Sequence, residues 1–76
     1  MRLRIEGHTD DTGVADMNMR LSEARAKAVA NYLLSKDIDL ARLSPAGFGM
    51  TRPLVPNSTA ANKALNRRIE FIVDKP

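Results

Sequence analysis

Two segments, one at each end of the chain, constrain the fold most. In residues 2–7, Leu3 and Ile5 alternate with Arg2, Arg4 and Glu6; near the other end, Ile69, Phe71 and Val73 alternate with Arg68, Glu70 and Ile72. A period of two is that of a β-strand, and charge on alternate positions means that each strand is covered on one face only. A doubly wound sheet, which needs apolar residues on both faces, is excluded. Between the two strands, Val14 to Lys36 contains no Gly or Pro and is rich in helix formers, which predicts one long helix. The expected architecture is α/β (α+β), a two-layer sandwich with helices on one face of the sheet and the other face largely wet.

The remaining elements are short. His8-Thr9-Asp10-Asp11-Thr12-Gly13 is a polar loop of turn formers between the first strand and the helix. Asp37-Ile38-Asp39 closes the helix, and Ala41-Arg42-Leu43-Ser44 reads as a short second strand or its approach. Residues 45–56, with Gly47, Gly49, Pro53 and Pro56, read as a loop. Ser58 or Thr59 is placed to cap a short helix over Ala60 to Leu65.

The chain has 76 residues and no cysteine, so disulfides, thiolate metal sites and cysteine nucleophiles are excluded. Only Tyr32, Phe48 and Phe71 are aromatic, and the core is therefore small and aliphatic. Twelve Lys or Arg against nine Asp or Glu give a charge of +3. Without stacking aromatics or a long basic stripe, this does not point to a nucleic-acid partner. No stretch approaches the ~20 apolar residues of a membrane span, so membrane insertion by this segment is not expected. Met1 runs straight into a charged strand, which suggests a fragment of a longer chain.

The long helix carries polar residues where a core stripe is expected. At about 100° per residue, with Leu21 at zero, Tyr32 falls near about 20°, Val29 near about 80° and Leu33 near about 120°. Arg25 at about 40° and Asn18 at about 60° lie inside this stripe, with Ser22 near about 100° at its edge. An inward guanidinium needs an acceptor, and Asp10 and Asp11 in the preceding loop are the nearest along the chain. Two arrangements satisfy this. In the first, Arg25 pairs with Asp10 while Asn18 binds backbone groups. In the second, the two charges are held apart and grip a zwitterion, the carboxylate taking an ammonium and the guanidinium a carboxylate.

These residues resemble a known family. Residues 5–13 are similar to the hEGHTDxxG segment of the OmpA-like peptidoglycan-binding domain, the C-terminal domain of OmpA, peptidoglycan-associated lipoproteins and the flagellar stator protein MotB. Asn18, Leu21-Ser22, Arg25-Ala26, Val29 and Leu33 match its NxxLSxxRAxxVxxxL pattern at every fixed position. Residues 42–53 resemble its RLxxxGxGxxxP loop, and Asn66-Arg67-Arg68-Ile69-Glu70-Phe71 resembles its NRRVEF strand. Asn62-Lys63 departs from the Gly-Arg that many members carry there.

The resemblance covers essentially the whole chain. It implies a mixed sheet in a βαβαβ core, with residues 1–76 forming one partial domain whose first strand and helix lie upstream. It also implies non-covalent binding of peptidoglycan through the diaminopimelate of the stem peptide, tethering an outer-membrane or envelope protein to the wall from the periplasm. By position, Asp10 would take the ammonium and Arg25 the carboxylate; Asn18, Leu21 and Thr9 would shape the pocket, with Arg68 at its edge. An alternative is a structural or oligomerisation fragment, self-associating through an uncovered sheet edge.

No enzymatic role is expected. Ser22 lies inside a helix without a nucleophile elbow. Gly47-Phe48-Gly49 is too short for a phosphate fingerprint, and no cofactor is implied. His8, Asp10 and Asp11 lack a fourth ligand, so no metal site is expected among them. Arg67 and Arg68 read as a solvated edge or as cross-strand partners of Glu6 and Glu70.

Overall fold

In a computed structural model, which describes residues 2–74, the apolar side of the first strand becomes the floor of the core. Strand β1 (Arg2–His8) is central in a three-stranded sheet of order β2-β1-β3. It runs parallel to β2 (Leu43–Gly49) and antiparallel to β3 (Arg68–Asp74), so the sheet is mixed as expected. Helix α1 (Ala15–Leu34) crosses between the parallel strands and lies over β1 and β2. A short helix, α2 (Ala60–Asn66), completes the βαβαβ order.

The core consists of Ile5, Ala26, Ala30 and Leu43, with Leu3, Val29, Leu33, Ile38 and Ile69 packed around it. Of these, Ile5 and Leu43 contribute about 1.5–3 kcal/mol each, the two alanines less. α1 ends in a Schellman closure. Asp37 adopts a left-handed conformation, and the Ile38 and Asp37 N–H groups donate to the Leu33 and Leu34 carbonyls at 3.2 and 3.1 Å. Of the two candidate caps, Thr59 starts α2, its Oγ1 accepting from the Asn62 N–H at 3.0 Å.

Three expectations are corrected. Residues 45–49 are not loop but the body of β2, entered through a 3-10 turn at Leu40–Arg42. Pro45 is tolerated because β2 is an edge strand. Gly47 is not a turn residue there. A Cβ on it would lie 2.4 Å from the Glu23 amide nitrogen, and one on Gly7 would lie 2.3 Å from the Ser22 carbonyl oxygen. The strands lack side chains at these points so that the α1 backbone can rest on them.

That close approach also rotates the helix. The buried stripe is Asn18, Ser22, Ala26 and Ala30. Leu21 and Tyr32 are 43% and 62% exposed, and Arg25 is exposed rather than inward. Small side chains, not large apolar ones, face a glycine-bearing sheet, so the wheel drawn through Leu21 and Tyr32 points to the flank of the contact.

The third correction concerns the far face of the sheet. It carries Glu6 and His8, yet both are buried. Phe48 stacks on the His8 ring with centroids 5.5 Å apart at 17°, and the Arg52 guanidinium lies 3.9 Å over the Phe48 ring. Arg68 donates to the Arg52 carbonyl at 3.1 Å, drawing the loop after β2 towards this face.

Candidate functional site

The loop leaving β1 is built by hydrogen bonds rather than by apolar packing. Thr9 donates its N–H to the Gly49 carbonyl at 2.9 Å and its Oγ1–H to the Asp10 carbonyl at 2.8 Å. Asn18, buried one turn into α1, donates through Nδ2 to the Thr12 carbonyl at 3.0 Å and the Asp10 carbonyl at 3.4 Å. Its amide therefore closes the loop onto the helix, the backbone-binding role read for it from residue chemistry. Ser22 Oγ accepts from the Gly49 N–H and donates to the Met19 carbonyl, both at 2.8 Å, which ties the end of β2 to α1.

Asp10 sits in this frame with its side chain only 9% exposed. Its Oδ1 accepts from the Thr12 N–H at 2.9 Å and its Oδ2 from Arg67 Nη1 at 2.6 Å. The Thr12 amide first, and then the Arg67 guanidinium, hold the carboxyl below its ordinary value of 3.8, so it is an anion at neutral pH. Lys63 Nζ lies 3.4 Å from Asp11 and 3.3 Å from Thr12 Oγ1, bringing α2 to the same mouth.

The structure brings Asp10, Thr9 and Asn18 together. Leu21 lies beside them on the exposed flank of α1. Arg25 does not pair with Asp10, because Arg67 occupies that place; Arg25 makes no salt bridge among the described residues. Arg68 is committed elsewhere, to the Glu70 carboxylate and to the Asn66 and Arg52 carbonyls. The expected cross-strand pairing is also corrected: Arg68 pairs with Glu70 of its own strand, and it is Arg4 that binds Glu6, at 3.3 Å.

Two residues that shape the site were not assigned to it from the sequence, which read Arg67 as a solvated edge or a cross-strand partner. Arg67 is the partner of Asp10. Asn66 is fully buried, its Oδ1 accepting from the Leu54 and Val55 N–H groups at 2.8 and 3.2 Å, and its Nδ2 donating to the Val55 carbonyl and Asn57 Oδ1 at 2.9 and 2.8 Å. Their proximity to Arg68 gave no indication that three successive residues serve three different partners. A cleft of about 390 Å³ lies at the opposite end of β1, lined by Leu3, Asp37, Ile38, Asp39 and Arg42, away from this loop.

A mixed sheet with an ionised carboxylate at the strand-to-helix junction, and an exposed arginine further along the helix, defines a small α+β module whose polar loop lies at the carboxyl end of the central strand. The OmpA family model matches residues 1–67, and the chain belongs to that family. It is 46% identical over 69 residues to the probable lipoprotein YiaD of Escherichia coli K12, covering 91% of this chain and 32% of that protein. It is 38% identical over 73 residues to the peptidoglycan-binding protein ArfA of Mycobacterium tuberculosis H37Rv, covering 96% of this chain and 22% of that protein. Its fold superposes on the peptidoglycan-associated lipoprotein of Burkholderia pseudomallei with a TM-score of 0.89 at 28% identity, covering 93% of this chain and 60% of that one. The chain thus spans a third or less of these two curated relatives. Among the described residues no helix is long and apolar enough to cross a membrane.

Proposed function

We propose that this chain binds peptidoglycan non-covalently through the diaminopimelate side chain of the stem peptide. In this reading it is the latter part of a longer domain that anchors an outer-membrane or envelope protein to the wall from the periplasm, without chemistry of its own. The observation that carries the reading is a ridge along α1. Asn18, Leu21 and Arg25 succeed one another at spacings of three and four, on one side of the helix. Asn18 to Arg25 is about 10 Å along the axis. The anionic Asp10 lies at one end of this ridge, exposed Leu21 in the middle and the unpaired guanidinium of Arg25 at the other end. Such a ridge suits an aliphatic chain ending in a zwitterion: ammonium at Asp10, methylenes on Leu21, carboxylate on Arg25. Thr9 and Asn18 hold the loop in place, and Arg68, held by Glu70 and two carbonyls, would have to leave those partners to reach the ligand. Arg67 would share Asp10 with the incoming ammonium or swing aside, since its side chain is 47% exposed.

Sedimentation with diaminopimelate-type peptidoglycan tests this reading. Because Arg25 is exposed and unpaired, Arg25→Ala should leave the folding midpoint unchanged while weakening binding about tenfold or more. Asp10→Ala should do the same to binding at some cost in stability. Wall with lysine in the third stem position lacks the second carboxylate and should bind more weakly. Equal binding by wild type and Arg25→Ala would show that the guanidinium takes no part.

A second reading rests on the uncovered side of β3. Phe71 and Val73 are 56% and 51% exposed, and one edge of the strand has no partner within the described sheet. A fragment that associates through this edge would form oligomers by light scattering and show no titratable site for free diaminopimelate.

A further inference from the structure

The far face of the sheet holds a group that the wall-binding reading leaves unused. Glu6 and His8 alternate on β1, and Glu70 stands opposite Glu6 on β3. One ligand atom from each of these three residues lies within 4.8 Å of the other two. His8 Nε2 is 3.8 Å from both Glu6 Oε1 and Glu70 Oε2. Its side chain is 2% exposed, yet neither ring nitrogen has a hydrogen-bond partner. A buried imidazole without partners, aimed between two carboxylates, is costly unless something fills the space between them.

From this we infer a divalent transition-metal site, of zinc type, formed by His8 Nε2, Glu6 Oε1 and Glu70 Oε2. One imidazole and two carboxylates are a donor set that zinc accepts, at about 2.0–2.2 Å, with water completing the tetrahedron. Ligand atoms around such an ion stand about 3.3 Å apart, so the observed 3.8 Å closes with small side-chain rotations. The two carboxylates that face His8, Glu6 and Glu70, supply two negative charges to a divalent ion, with Arg4, Arg68 and Arg52 nearby as counter-charges. Arg4 binds Glu6 through Oε2, which leaves Oε1 for the ion. Glu70 Oε2 is held by Arg68 Nε and must be released to the ion; Arg68 also has the Asn66 and Arg52 carbonyls, so it keeps partners when that oxygen turns. Glu70, with its side chain 39% exposed, provides the entrance, while Phe48 closes the His8 side. Nδ1 of His8 has no acceptor to raise the basicity of the ring, which weakens the site about 10–100-fold against one with such a partner.

Because His8 is the single histidine of the sequence, its ring resonances report the site directly. Titration of the whole chain with Zn2+, followed by NMR of the imidazole, should show saturable shifts at one ion per chain. Co2+ should give a tetrahedral visible absorption that Zn2+ displaces. His8→Gln should abolish the absorption, and Glu70→Gln should weaken Zn2+ binding about tenfold or more. Asp16→Asn, a change of an exposed carboxylate in the first turn of α1, should alter neither readout. The inference is overturned if the wild-type His8 resonances do not move in a titration up to about 1 mM Zn2+. It is equally overturned if they move identically in Glu70→Gln. Neither readout involves peptidoglycan, so failure here leaves the wall-binding reading untouched.

Discussion

The two faces of the sheet are buried by opposite means. Under the N-terminal half of α1 the contact is made by small groups: Ser22 and its neighbours meet strands that carry Gly7 and Gly47 where side chains would otherwise stand, and the aliphatic core around Ile5 and Leu43 follows further along the helix. The stabilisation there comes from backbone approach and dispersion at close range. On the other face Glu6 and His8 are as inaccessible as Ile5, but they lie under charge pairs and an aromatic lid. An alternating charged strand is thus no guarantee of a solvated face. Long arginines and one phenylalanine cover what a second layer of helices would cover in a larger fold.

The comparison can be broken most forcefully at the close contact. Gly7→Ala places a methyl against the Ser22 backbone, which cannot move without lifting α1 from the sheet. We expect a loss of about 3 kcal/mol or more in urea unfolding, a large part of what a domain this small can have. A loss under about 0.5 kcal/mol would mean that the helix does not rest there.

Asn66 tests whether buried polar groups carry comparable weight. Asn66→Ala removes four hydrogen bonds and strands the Leu54 and Val55 N–H groups, for an expected loss of about 2–3 kcal/mol. An unchanged midpoint would place the loop of residues 54–57 outside the cooperative unit.

The far face has a pH signature. Burial, and then Arg68, hold His8 below its ordinary value of 6.5 against the opposing pull of Glu70 and Glu6. The unfolded chain therefore binds a proton that the folded chain refuses. Stability from this group is complete above 6.5 and is lost as pH falls from there towards the folded value. With chelator present, the slope should stay under about 1.4 kcal/mol per pH unit, and it should vanish in His8→Gln. Asp10, also depressed, adds a second loss at lower pH, from 3.8 downward.

The smallest effect is expected at Tyr32. Because it is 62% exposed, Tyr32→Ser should change stability by no more than about 0.5 kcal/mol. Were the helix seated on the Leu21–Tyr32 stripe, the same change would cost about 3 kcal/mol or more. One denaturation curve separates the two rotations.

Much of the molecule was legible in the amino-acid pattern. The two one-sided strands, the long helix between them, its closure at Asp37-Ile38-Asp39 and a cap at Ser58 or Thr59 follow from period and turn chemistry, and the OmpA-family character from the resemblance of its motifs. The polar loop, which starts at Thr9 because His8 still belongs to β1, and the role of Asn18 in binding its backbone were also readable, since short amides near helix starts recur in that role. The glycines of β2 were not, because a glycine kept for close packing and one kept for a turn look alike in a sequence.

The sequence by itself determined the two outer strands and the helices, because periodicity and backbone propensity act within a few residues; β2, broken by Pro45 and two glycines, it did not. Only the tertiary structure decided how far α1 is turned about its axis, that Arg67 rather than Arg25 meets Asp10, and that Glu6, His8 and Glu70 converge. Each of these depends on which backbone lies within van der Waals reach of which. For residues 57 positions apart, such as Asp10 and Arg67, that distance is set by the packing of the whole sheet and not by any local preference.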